Sequence, residues 1–245
     1  AAFLLEKGWA AAPVIALTLF IGAFVGFLQG YAVHEFKIAP FLITLAGQFL
    51  MRGMCAVVST ISIPITNDFF KSAAPAKISW VTASGSRPKL YYYVFFAIAI
   101  VIIAWYILRF TRFGRAVYAV GSNEQSAQYM GLNVKGVKVG VYAINGFCSA
   151  LGGILFSFYT LAGYSLQNMG MELDAISSAV IGGTLLTGGV GTVIGSMVGV
   201  LIQGIIQTIV TYQNLNTWWT KVTIAAILCF FIVIQSVLAS AKKKK

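Results

Sequence analysis

Residues 172–208 read ELDAISSAVIGGTLLTGGVGTVIGSMVGVLIQGIIQT, and this stretch decides the fold. Its first part, 172–187, is apolar but short, opens on Glu172 and Asp174, and runs into Gly182, Gly183, Gly188 and Gly189. Such a run reads as a half-helix or broken helix, and irregular backbone at membrane depth is tolerated only where protein or a cavity surrounds it. Acids at the start of a half-helix suit its positive dipole end. Glu172 and Asp174 are therefore read as capping or ion-pairing groups, with a part in transport as the other option. The second part continues to residue 212 as a full span. Within it Gly191, Gly195 and Gly199 recur every four residues, the small-xxx-small spacing that lets helix backbones approach closely, and Gln203 and Gln207 continue the series. Each four-residue step drifts by about 40° around a helix. Gly195, Gly199 and Gln203 thus share a face while the two ends do not. That face is either a helix contact with glutamines bonding across it, or a contact leading into a polar surface beside a translocation path.

The remainder of the chain has the same character. Of 245 residues, 59% are hydrophobic and 9% charged, with a mean hydropathy of +0.86, well outside the range of soluble domains. The apolar runs are long enough for helices and lack the alternation of barrel strands. The fold class predicted is an all-α polytopic transmembrane helix bundle with a broken or half-spanning helix. Spans are expected over residues 13–31, 41–61, 90–108, 139–163, 192–212 and 220–238, with an extramembrane loop over 62–89. Tyr91, Tyr92 and Tyr93, and later Trp218 and Trp219, mark interfaces. Arg52 falls near the middle of its span, where it should face the bundle interior, a water cavity or a break near Gly53. Its role is either structural pairing or substrate contact. Asn145, Ser149, Gly152 and Gly153 give the fourth span a small, polar face.

The formal charge of +11, from 17 basic and 6 acidic residues, sits in loops and in the lysines at 242–245. It is read as topology and lipid-bilayer contact, not nucleic-acid binding. Cys55, Cys148 and Cys229 are isolated within apolar segments and His34 is the sole histidine, so neither a disulfide framework nor a metal pattern emerges. No catalytic constellation or cofactor motif is evident, and a Walker A sequence is lacking, so ATP hydrolysis would require another subunit.

Residues 109–138 form a long polar segment between two spans. Arg109, Arg112, Arg115, Lys135 and Lys138 against the single acid Glu124 mark it as cytoplasmic. Ser122, three residues before Gln125, has capping-box spacing. A short helix is predicted to run from there to Met130 and stop at Gly131, with Ala127 and Met130 on one face and Glu124, Gln125 and Gln128 around the others. It is either a docking feature or a solvated connector. Counting spans back from a cytoplasmic tail makes this segment cytoplasmic if residues 172–187 cross most of the bilayer. The same count puts the 62–89 loop and Ala1 outside.

Three runs in order, IAPFLITLAGQFLMRG at 38–53, TRFGRAVYAVGSNEQSAQYMGL at 111–132 and the opening stretch at 172–208, resemble the permease subunits of ribose-type sugar ATP-binding-cassette importers. FSFYTLAGYSL at 156–166 and NLNTWWTK at 214–221 are most similar to the galactofuranose permeases. The resemblance implies a multi-pass bacterial inner-membrane protein that moves a monosaccharide inward by alternating access. It implies a second permease subunit, as homodimer or heterodimer, cytoplasmic ATP-binding-cassette ATPase subunits, and a periplasmic sugar-binding protein. ATPase coupling then falls to Arg112, Gly114, Ser122, Asn123, Glu124, Ala127, Met130 and Gly131. Asn145, Ser149, Gln203 and Gln207 are candidates for the sugar path, and Arg52, Glu172, Asp174, Gly191, Gly195 and Gly199 for structure or gating. Family members normally begin with further spans carrying a glycine-rich acidic motif, which is not found here. The expectation is a single permease domain over 1–245 that lacks those spans. The alternative is an ion-coupled secondary transporter or channel using Arg52, Glu172 and Asp174.

Overall fold

The computed structural model describes residues 1–73, 77–79, 89–213, 218–219, 221–227, 229–231 and 233. In chain order the elements are α1 (Ala2–Glu6), α2 (Ala11–Glu35), α3 (Pro40–Val58), β1 (Ile63–Pro64), α4 (Asp68–Ala73), β2 (Lys77–Ser79), β3 (Lys89–Tyr91), α5 (Tyr92–Phe110), α6 (Arg112–Ser122), α7 (Glu124–Tyr129), α8 (Val134–Thr160), β4 (Ala162–Gly163), α9 (Met171–Ile181) and α10 (Val193–Tyr212). Among the described residues, α2, α3, α5, α8 and α10 are long and apolar enough to cross a membrane. At 1.5 Å per residue, the shortest of them, of 19 residues, reach about 28 Å, close to the thickness of a bilayer's hydrocarbon core. α9, with 11 residues, reaches about 16 Å and spans half of it. The chain is thus an all-α polytopic helix bundle with a half-spanning helix. The expected last span begins as the shorter apolar helix Lys221–Phe231; residues 234–238 of it, and the lysines at 242–245, lie outside the described residues.

The chain divides into two compact units, Ala1–Ala99 with Asn133–Gln167, and Ile100–Leu132 with Asn168–Lys245. In the first, α2 and α8 meet backbone to backbone. A Cβ on Gly22 would lie 2.6 Å from the Gly146 carbonyl oxygen, and one on Gly30 would lie 2.9 Å from both Tyr142 Cβ and Val139 Cα. On Gly26 it would run into the Tyr142 carbonyl, and on Gly146 into that of Gly22. Gly22, Gly26 and Gly30 are spaced by four, so they form one stripe of α2 along which the two backbones approach. The α8 face singled out from sequence is a different one. Asn145 and Ser149 are exposed, and nothing lies within 4 Å of where a side chain on Gly152 or Gly153 would begin.

One end of this unit is closed by the chain that follows α3. β1 pairs antiparallel with β4, Ile63 opposite Gly163, and the Ile65 amide donates to the Leu161 carbonyl at 2.8 Å. Phe70 of α4 is fully buried and stacks on Phe158 of α8 at 4.3 Å. With Leu5, Ala11, Val14 and Ile65 it forms a small core. Removing a phenylalanine ring from water contributes about 2 kcal/mol, enough to hold the first part of the 62–89 loop down. Residues 74–76 and 80–88 of that loop are outside the described set. At the opposite end of α2, Lys135 donates to Glu35 at 3.0 Å and lies 4.9 Å over the Tyr31 ring. Both charges are exposed, so the pair fixes geometry more than stability.

Arg52 is half-buried on α3, which is helical throughout Pro40–Val58. Of the three surroundings considered for it, a break near Gly53 is ruled out, since the helix runs unbroken through that residue.

The α2–α8 contact gives a direct expectation. Gly146→Val should lower the thermal transition of the detergent-solubilised protein by the equivalent of about 1–3 kcal/mol or more, since the added carbons meet backbone that cannot give way. Gly152→Ala should leave it unchanged or slightly raised. Fluorescence-detected gel filtration after a temperature ramp reads both.

Candidate functional site

The second unit is organised around a reversal at the end of α5. Thr111 Oγ1 donates to the Ile107 carbonyl at 2.6 Å and accepts the Gly114 amide at 3.1 Å, so one hydroxyl ends α5 and caps α6. Gly114 is buried, and a Cβ there would lie 2.6 Å from the Ile107 oxygen and would also strike that of Leu108. The turn is that tight only because residue 114 has no side chain. The polar segment between spans therefore holds two helices. α6 places Phe113, Val117 and Tyr118 partly inward, and Arg112 and Arg115 outward.

The cap of α7 is Asn123, not Ser122. Asn123 is extended at φ −158° and its Oδ1 accepts the Ser126 amide at 2.9 Å. Ser122 is the last residue of α6, and its hydroxyl donates back to the Tyr118 carbonyl at 2.9 Å. The capping-box spacing fits Ser122 alone, but the extra helix upstream takes up Ser122 and leaves the cap to Asn123, itself a favoured residue there. α7 closes at Gly131, whose φ of +79° suits glycine, while the Leu132 amide reaches back to the Ala127 carbonyl at 3.1 Å.

Ala127 and Met130 do not share an environment. Ala127 is 0% exposed, whereas Met130 is 68% exposed because it lies past the helix as its C-cap. Tyr129, not singled out from sequence, is 89% exposed. α7 is thus pinned by Ala127 and presents Tyr129 and Met130 outward, together with exposed Asn123, Glu124, Gln125 and Gln128.

The end of α6 approaches the turn between α9 and α10 backbone to backbone. A Cβ on Gly121 would lie 2.8 Å from the Gly189 nitrogen, and one on Gly188 would lie 2.6 Å from the Gly121 oxygen. Gly188 and Gly189 have φ of +90° and +74°, a conformation side chains disfavour. Tyr118 Oη donates to the Gly191 carbonyl at 2.9 Å and ties α6 to the same turn. Within the turn the Leu185 amide donates to Val190, and the Thr184 amide back to Ala179, each at 3.0 Å.

Beyond it α9 packs on α10. A side chain on Gly195 would meet the Gly182 carbonyl, and one on Gly199 the Ser178 carbonyl. Buried Gln203 takes the Ser178 hydroxyl on its Oε1, and Ser178 Oγ also reaches the Asp174 carbonyl at 2.9 Å. Gly195, Gly199 and Gln203 all face α9, Gly191 lies beside Thr184, and Gln207 is exposed. Gln203 thus spends its carbonyl on a helix contact. Glu172 and Asp174 occupy the first turn of α9, exposed and half-buried respectively. The N-cap is Gly170, with no side-chain cap hydrogen bond, so neither acid serves as the cap, and both stand where the helix dipole favours negative charge.

Residues 1–232 match the family described as branched-chain amino acid transport system / permease component. The chain is 42% identical over 226 residues to the inner membrane ABC transporter permease protein YjfF of Escherichia coli (strain K12), covering 91% of this chain and 67% of the relative. It is 34% identical to the fructose import permease protein FruG of Bifidobacterium longum (strain NCC 2705), over 99% of this chain and 72% of that one. It is 33% identical to the galactose/methyl galactoside import permease protein MglC of Escherichia coli (strain K12), over 95% and 69%. No solved structure matches.

The cap assignment is open to measurement. Asn123→Ala should cost α7 about 1 kcal/mol, read as roughly fivefold faster amide hydrogen exchange in a peptide covering residues 123–132. Ser122→Ala should leave that exchange nearly unchanged; the reverse pattern would restore Ser122 as the cap.

Proposed function

Because the chain belongs to the branched-chain amino acid transport system / permease component family, as a transport subunit rather than an enzyme and a multi-pass protein of the bacterial inner membrane, we propose that it moves a monosaccharide inward by alternating access. Relatives that are fructose, ribose and galactose import permeases support the sugar reading. The finer substrate is galactofuranose, on the resemblance carried by residues 156–166 and 214–221. Residues 156–160 end α8, about 40 Å along its 27 residues from Asn133, and 161–166 follow it, so the run stands at the far end of that helix from Lys135 and Lys138. That is the side on which a periplasmic sugar-binding protein would deliver cargo. Residues 214–217 and 220 are outside the described set, and Trp218 and Trp219 are exposed.

Hydrolysis would occur in cytoplasmic ATP-binding-cassette ATPase subunits bound to a permease dimer, with residues 1–245 acting as one permease domain. The observation that supports coupling through α7 is its exposed face, with Tyr129 and Met130 beside Glu124 on a helix anchored by Ala127. Arg112 and Gly114 set the reversal that carries α6 and α7. Of the path candidates, Asn145 and Ser149 stand one turn apart on an exposed face of α8 and Gln207 is exposed on α10, so these three are the better sugar contacts. Gln203 is assigned to holding α9. Glu172, Asp174, Gly191, Gly195 and Gly199 keep the structural or gating role, as does Arg52.

Co-purification in mild detergent followed by an ATPase assay with sugar-loaded binding proteins tests this reading. A bound ATPase stimulated most by the galactofuranose carrier is expected. Stimulation by a different sugar's carrier would replace only the substrate, whereas ATP-independent, gradient-driven uptake would return the ion-coupled alternative. In the same assay Tyr129→Ala with Met130→Ala should lower stimulated hydrolysis about tenfold, as the loss of two anchor side chains at an interface does, with membrane insertion intact.

A further inference from the structure

Beside the reversal at the end of α5, the second unit holds a cavity of about 410 Å³ that nothing described so far uses. Leu108, Val193 and Ile194 supply apolar walls, and Trp105 lies one helical turn before Arg109. Arg109 and Arg115 line it, no carboxylate does, and neither arginine forms an ion pair among the described residues. Arg115 is steadied by donation to the Phe110 carbonyl at 3.5 Å, and Arg109 sits in the last turn of α5. Tyr118 is spent on Gly191, so it shapes the floor and leaves ligand contact to the guanidinium groups.

Depth in the membrane identifies the ligand. α5 is 19 residues long and bounds the hydrocarbon core almost end to end, so Arg109, next to its last residue, lies at headgroup level. Trp105 lies one turn deeper, where interfacial aromatics concentrate. The planar fork of a guanidinium pairs with two oxygens of a phosphodiester, and two such groups more than balance its single negative charge. The first two amides of α10, at Val193 and Ile194, have no intrahelical acceptor and add to the positive field at the cavity wall. An inorganic phosphate would satisfy the arginines but leave the apolar walls unfilled. A lipid satisfies both, with its acyl chain along Trp105, Leu108 and Ile194.

The geometry points to a binding site for an anionic phospholipid, its phosphate held between Arg109 and Arg115. The site is independent of which sugar is carried and of where the ATPase docks.

The test is native mass spectrometry of the whole permease in mild detergent, titrated with phosphatidylglycerol and with phosphatidylcholine of the same acyl chains. The wild type should bind phosphatidylglycerol at least tenfold more tightly, and R109Q/R115Q should lose that preference, as expected when two basic groups near the surface are neutralised. Equal binding of both lipids by the wild type overturns the proposal whatever the variant does. Displacement of phosphatidylglycerol by excess inorganic phosphate, with sodium chloride of equal ionic strength as the control, overturns it in favour of a free-anion site. An R109Q/R115Q protein that keeps its lipid preference but loses its co-purifying ATPase overturns it in favour of a protein contact.

Discussion

Inside a bilayer, lipid tails are as apolar as leucine, so burial of apolar side chains gives helices little reason to associate. Cohesion has to come from distance: backbones must approach closely enough for dispersion and short polar contacts to accumulate. The chain meets that constraint in each of its units with glycine. In one, Gly22, Gly26 and Gly30 of α2 lie against Gly146 and Tyr142 of α8. In the other, Gly195 and Gly199 of α10 lie against Gly182 and Ser178 of α9. The rest of each unit hangs on these pairs. The small aromatic core around Phe70 closes one end of the α2–α8 pair, and the α9–α10 pair holds the turn that α6 touches.

The same constraint explains what is left uncovered. α3 and α5 bury no residue, and Phe41, Phe49, Phe95 and Ile102 are exposed along them. In water such surfaces would be a liability; in a membrane they are the lipid-facing side of a protein whose contacts are narrow stripes. Exposed polar residues on α8 and α10 stand out against that background, which is why Asn145, Ser149 and Gln207 gain weight as path residues while Gln203 loses it.

How much of this was legible in the sequence depended on the length scale of each signal. Spans were legible, because a run of about twenty apolar residues has few other meanings, and the short segment before Gly182 was legible as a half-helix for the same reason. The shared face of Gly195, Gly199 and Gln203 followed from helical geometry alone. The stripe at Gly22, Gly26 and Gly30 has the same four-residue spacing and was open to the same argument, but the polar neighbours of α8 drew attention to Asn145 and Ser149. Capping failed at a finer scale. Ser122 and Asn123 are both good caps, and the choice turned on α6, whose amphipathic spacing, with Phe113, Val117 and Val120 inward and Arg112 and Arg115 outward, announces a helix that the basic charge of the segment masked. Tyr129 was missed, and Met130 paired with Ala127, for a related reason: a six-residue helix has too few turns for periodicity to separate its inner face from its outer one.

The half-length of α9 also bears on how the protein is made. A segment of 11 residues cannot reach across the hydrocarbon core, so its own apolarity gives the insertion machinery no complete span to release sideways into lipid. α10 is the first segment after it with that reach. α9 therefore depends on its contact with α10, at Gly195, Gly199 and Gln203, to be held at membrane depth, so that a packing interface substitutes for the span it lacks.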